Sequence, residues 1–169
     1  MFHTWLKRLD SPASVLAFAA VAYALFVSVR LAIHAWDASY FVTAGDAFTD
    51  PAIAPPGLHV MRGTVGHDGQ FYYRLALDPF TDRVTDYGIT LDLPAYRHQR
   101  ILYPLIVHCL SLGNVSAVPF WMLALNFAGI CVIAWSGGKY AQALGMHAGW
   151  GLAFACYPGF VLTLARDFT

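Results

Sequence analysis

Between Ser14 and Ala35 the chain runs for 22 residues with a single charge, Arg30. About 20 apolar residues carry a helix across a bilayer core, so this run reads as a membrane span or a secretory signal. The apolar part of a signal peptide is shorter, about 7–15 residues, and ends at a small-residue cleavage site. Here Arg30, His34 and Trp36 stand where that site would lie. An uncleaved first span is expected, with Trp5 and Trp36 in the two interfacial belts and Arg30 snorkelling toward the headgroups. Two further runs, about Ala117 to Trp135 and about Ala148 to Ala165, read as spans joined through Gly137, Gly138, Lys139 and Gly145. Asn126 lies within the second and suits an interhelical hydrogen bond. Pro158 and Gly159 are placed to kink the third.

Charge is segregated as strongly as hydrophobicity. Of the 169 residues, 58% are hydrophobic and 12% charged, against about 45–50% and 25% in soluble domains. Ten Lys and Arg balance ten Asp, and Glu is absent. That balance leaves no basic footprint for nucleic acid. Eight of the ten Asp fall between Asp37 and Asp92, which marks one large polar loop between apolar segments. The three cysteines, Cys109, Cys131 and Cys156, sit in apolar surroundings without metal-ligand spacing and read as small buried hydrophobes.

Ile101–Leu112 is apolar but only 12 residues long, roughly 18 Å as a helix and too short for a core of about 30 Å. It reads as a helix lying in the interface or dipping into it. Lys7, Arg8 and Lys139 fall on one side of a three-span arrangement, which places the N-terminus in the cytoplasm and residues 36–116 outside. The resulting division is residues 1–35 as N-terminus and first span, 36–116 as extracytoplasmic loop with short helices, and 117–169 as two further spans. Because the third apolar run stops at Arg166-Asp167-Phe168-Thr169 and three spans bury little surface, the chain is expected to be the N-terminal part of a longer or truncated product.

The chemistry-bearing residues lie in the loop. Gly66-His67-Asp68-Gly69-Gln70-Phe71-Tyr72-Tyr73 precedes and enters a short helix expected over Gly69 to Leu77. Asp68 can cap that helix through its first-turn amides. The same carboxylate, flanked by glycines and followed by three aromatics, suits sugar stacking and abstraction of a hydroxyl proton. Farther on, Arg97 and Arg100 are spaced i, i+3 where the apolar segment begins. Their forks match phosphate oxygens, in a lipid-linked donor or in ordinary phospholipid. No Ser–His–Asp set is suggested. His59, His67 and Asp68 leave a divalent cation open, although their spacing matches no metal motif.

One span, an outer loop with an Asp beside a short helix, and an Arg-rich approach to a proline-containing apolar helix resemble the start of a GT-C-type membrane glycosyltransferase. Gly66–Tyr73 is similar to the Trp-Asp-Gly/Ser-x-Trp-Tyr motif of the second mannosyltransferase of GPI-anchor synthesis, with His67 at the Trp position. A closer resemblance, over nearly the whole chain, is to uncharacterised bacterial membrane proteins linked to cell-surface glycopolymer formation. It rests on Ala44-Gly45-Asp46, Asp68 to Tyr73, Ala76-Leu77-Asp78-Pro79, Tyr96-Arg97, Arg100 to Pro104, Tyr157-Pro158-Gly159 and Arg166-Asp167-x-Thr. The family continues with many more spans.

The resemblance implies an all-α polytopic membrane bundle of GT-C type in a bacterial inner membrane. It further implies sugar transfer from a polyprenyl-phosphate carrier to a glycan or glycolipid acceptor, with no certain cofactor and a divalent metal left open, since metal-dependent and metal-independent members both occur. Asp68 would be the base, Gln70, Tyr72 and Tyr73 would position the sugar, and Arg97 and Arg100 would hold the lipid phosphate. Asp46 and Asp167 would bind acceptor. The expected partners are membrane lipids and the further spans or a partner subunit. The competing expectation is a non-catalytic membrane component of glycopolymer assembly or export.

Overall fold

A computed structural model describes residues 10–166, with side chains through Leu164. The chain is mostly helical and divides into two compact units. One holds the N-terminal helix and residues 126–162. The other holds residues 34–125 and the chain from Thr163.

In the first unit, helix α1 spans Pro12–Ile33. Ser11 accepts the Ser14 amide through its hydroxyl at 3.1 Å, and Pro12 occupies the first turn, where its missing N–H leaves no vacancy. Only Val15, Ala19 and Tyr23, one residue per turn, are buried. The Tyr23 hydroxyl donates to the Ala155 carbonyl at 2.5 Å. Phe18, Val21, Leu25, Val29 and Ile33 face outward, each more than half exposed. A 26-residue helix, labelled α5 for its place in the chain, covers Val118–Ala143, and its residues from Asn126 onward belong to this unit. These two helices are long and apolar enough to cross a membrane.

The expected link through Gly137, Gly138 and Lys139 is corrected by α5, which runs through all three. The glycines serve contact there. A Cβ on Gly151 would come within 2.4 Å of the Gly138 nitrogen, and one on Gly137 within 2.9 Å of the Phe154 ring. The turn comes later, at Gly145 with φ +71°. The third expected span is likewise not one helix. It is a 3-10 turn at Ala148–Trp150, a short helix at Gly151–Ala155 and another at Pro158–Arg166. Pro158 has no N–H to donate back and disfavours helical backbone at the preceding Tyr157, so the expected kink is a break.

The second unit is not purely helical. Strands β1 (Ala44–Gly45) and β2 (Val60–Met61) pair in parallel, and β3 (Thr85–Asp86) and β4 (Ile89–Thr90) form a hairpin. Tyr87 and Gly88 turn the hairpin with φ of +51° and +72°, the geometry of a two-residue primed turn. Helix α2, Gly69–Leu77, lies at the centre, buried from Gly69 through Ala76. Beside it are α3 (Pro94–His98) and α4 (Leu102–Ser111). His108 of α4 bonds the Ala76 carbonyl through Nδ1 at 2.9 Å. Phe41, Val42, Phe71, Leu75, Ile89 and Val107 form the core. Arg74, also fully buried, donates to the Arg83 carbonyl, and burial lowers its affinity for the proton.

The glycine contact of the first unit yields a paired prediction. Gly151→Ala forces the backbone away from Gly138 and should destabilise by about 1–3 kcal/mol, as overpacking does. Gly129→Ala, in the interior of α5, adds a Cβ with nothing within 4 Å and should stabilise by about 0.5–1 kcal/mol. Denaturation midpoints in detergent check both signs.

Candidate functional site

Arg97 organises the polar face of the second unit. Its side chain is 5% exposed, and two carboxylates enclose it. Nη1 and Nη2 donate to Asp68 at 2.5 and 2.8 Å. Nε and Nη2 donate to Asp92 at 2.8 Å each. The guanidinium also lies 4.5 Å from the centre of the Phe71 ring and 5.5 Å from that of Tyr96. A planar fork can satisfy two carboxylates and an aromatic face together, whereas an ammonium cannot. The Asp92 bonds, followed by those to Asp68, raise Arg97 still further above its ordinary range. The Arg97 hydrogen bond in turn holds Asp92 below the usual carboxylate range.

Asp68 occupies the N-cap position of α2 but its side chain accepts no capping hydrogen bond from the helix. The capping expectation is therefore corrected: the carboxylate turns to Arg97. It stays 39% exposed while Arg97 is covered. Arg97 is consequently committed within the protein, and Arg100 is the arginine that faces outward. Arg100 donates to the Tyr96 hydroxyl at 2.6 Å and, at 3.5 Å, to that of Tyr72. Those hydroxyls, Tyr72 foremost, raise its pKa. Its guanidinium lies 4.9 Å from the centre of the Tyr96 ring. Asp68, Tyr72, Arg97 and Arg100 are thus brought together.

The other expected site residues lie apart from this cluster or do different work. Gln70 is 1% exposed. Its Oε1 accepts from the Gly45 amide and the Thr49 hydroxyl at 3.1 and 2.9 Å, and its Nε2 donates to the Val65 carbonyl at 2.9 Å. These bonds tie the loop chain to α2. Asp46 accepts the Gly63 and Thr64 amides at 2.9 and 3.1 Å. Those backbone bonds hold its carboxyl below the usual range. Tyr73 is buried and lines a separate cavity. Asp167 lies outside the described residues.

Among the described residues no group of three or more His, Cys, Asp or Glu could hold a metal ion. His59 instead stacks on Tyr40, which stacks in turn on His34. Asp92 was missed by sequence reasoning. Its signal was available in Asp92-Leu93-Pro94, an acid just ahead of the proline that opens α3 and five residues before Arg97. No protein-family model, curated protein or solved structure matches the chain.

The depressed Asp92 carboxyl gives a pH prediction. A carboxyl lowered in the folded state contributes stability that is complete above its unfolded pKa, about 3.9. That contribution is lost as pH falls through the lower folded value. Wild-type stability should therefore fall below about pH 4 more steeply than that of Asp92→Asn. Chemical denaturation midpoints across that range would show the curves converging at the acid end.

Proposed function

We propose that the chain is a membrane glycosyltransferase of GT-C type, or part of one, that transfers a sugar from a polyprenyl-phosphate carrier to a glycan or glycolipid acceptor. The observation that carries this reading is the pairing of an oriented, partly exposed carboxylate, Asp68, with an outward-facing arginine, Arg100, across Tyr72 and Arg97. The acceptor hydroxyl attacks the anomeric carbon, its proton passes to Asp68, and the bond from that carbon to the phosphate oxygen breaks. The lipid phosphate leaves with the bonding electrons, and Arg100 stabilises the charge that develops. Arg97 takes a different part from the phosphate-holding one expected of it. It is a positioning residue, fixing Asp68 through two bonds and held by Asp92.

A second reading, a non-catalytic component of glycopolymer assembly or export, is favoured by one observation: both Asp68 oxygens already accept from Arg97. Asp68→Asn separates the two readings. As a base, Asp68 contributes about 10²–10⁴-fold in rate, so the variant should lose glycopolymer while inserting and folding normally. Polymer near the wild-type level would favour the component. Arg100→Lys keeps the charge without the fork and should raise the donor concentration needed for half-maximal activity. Unchanged donor dependence counts against the phosphate role.

The membrane placement belongs to the same proposal. Helix α5 is roughly 39 Å long at 1.5 Å per residue, enough for the hydrocarbon core and part of both interfaces. Phe120 and Trp121 stack edge to face at one end, and the Lys139 ammonium lies 4.8 Å from the Trp135 ring centre near the other. Aromatic girdles with lysine on the cytoplasmic side are the interfacial pattern of a span. With α1 and α5 as spans in a bacterial inner membrane and the N-terminus cytoplasmic, residues 34–117 face outside. In a cysteine-free background, an impermeant thiol reagent applied to intact cells should label Ser116→Cys and spare Leu144→Cys. The reverse pattern would invert the orientation.

A further inference from the structure

Adjacent tyrosines on α2 serve different surroundings. Tyr72 reaches Arg100, whereas Tyr73, one residue on and about 100° around the helix, enters a cavity of about 210 Å³. Tyr73 is only 2% exposed, and no described residue hydrogen-bonds its hydroxyl; that oxygen is not among the orphaned buried atoms, so it reaches open space. Burial pushes the phenol up to about 12, so at neutral pH it keeps its proton and can both donate and accept.

The cavity around that hydroxyl is polar on several sides. Tyr73, Ser39 and Pro119 are buried, and Asp37, Gly57 and Ser116 stand toward the opening. Ser39 accepts the His59 amide at 2.9 Å through its hydroxyl oxygen, which leaves the hydroxyl proton to donate. One Asp37 oxygen accepts the Ser39 amide at 2.8 Å, and the other accepts from no described residue. Ser116 adds an exposed hydroxyl at the rim.

We propose that this cavity binds a small, neutral, polyhydroxylated molecule of the size of one sugar ring. Three features select that class. The lining supplies both proton donors, the Tyr73 and Ser39 hydroxyls, and an acceptor, the Asp37 carboxylate, and hydroxyl groups answer both functions. The Asp37 carboxylate repels anions, while the Tyr73 and Ser39 protons answer acceptors rather than a cation. The volume lies below the roughly 300–1,000 Å³ typical of drug-sized pockets, and Pro119 with the tyrosine ring gives the apolar wall against which C–H faces pack. The site contains neither Asp68 nor Arg97 and does not depend on the transferase reading.

The test uses the full chain in lipid nanodiscs and ligand-observed NMR titration. The probes are methyl glucopyranoside, methyl galactopyranoside and myo-inositol, with tetramethylammonium and inorganic phosphate as charged comparisons. At least one polyol should bind saturably. Tyr73→Phe removes one oxygen from an otherwise unchanged ring and should weaken that binding roughly 2- to 12-fold, the worth of one hydrogen bond. Asp37→Asn should weaken it also, and Asp82→Asn, at an exposed acid that does not line the cavity, should leave it unchanged. The proposal is overturned by any of three results: no saturable polyol binding, binding indifferent to both Tyr73→Phe and Asp37→Asn, or saturable binding of the ammonium or phosphate probe alone. If polyol binding persists while Asp68→Asn keeps full polymer output, the transferase reading fails and this site stands.

Discussion

The polar unit depends on one cation removed from water. Arg97 joins Asp68, at the start of the central helix, to Asp92, in the chain leading into α3. Removing a guanidinium from water is expensive, and the two carboxylates offset that cost because each presents oxygens to the fork at hydrogen-bond distance. Truncating either acid would leave a buried charge half-answered, whereas an asparagine at Asp68 keeps an oxygen that can accept from the fork and leaves the set assembled. The two carboxylates also exceed the one positive charge they surround, which leaves Asp68, the more exposed of them, as the side that faces solvent.

A second, neutral clamp complements the first. Irregular backbone is tolerated inside a protein when its amides and carbonyls are answered, and Gln70 and Asp46 answer five such groups or side chains along the loop from Gly45 to Val65. The close approach of Gly45 and Gly66, where a Cβ would lie 2.2 Å from backbone, brings the loop near enough for one glutamine to reach both strands of it. Asp68 and Gln70, two residues apart, thus split the work: one anchors charge, the other anchors backbone.

Local signals made several elements legible. The α2 boundaries at Gly69 and Leu77 followed from the glycine-rich approach and the Asp-Pro at the end. The run behind α1 was readable because almost nothing interrupts it, and Ile101–Leu112 gave a short helix at Leu102–Ser111. Tertiary contact hid the rest. Gly137 and Gly138 look like a turn in one dimension and become a contact surface only when Gly151 approaches. The short strands of the loop have two residues each, too few for an alternating pattern. The roles of Gln70 and Arg97 depend on residues far along the chain, Gly45 and Thr49 for one and Asp68 for the other, so residue type alone placed them with a ligand when the protein itself occupies them.

Helix α2 is buried through eight consecutive residues, so it has no free face on which to roll. Tyr72 and Tyr73 are carried on that rigid rod and look toward different parts of the surface. Any turn of the rod that moved one hydroxyl would move the other by a comparable arc. The outward arginine and the small cavity therefore share one fixed support.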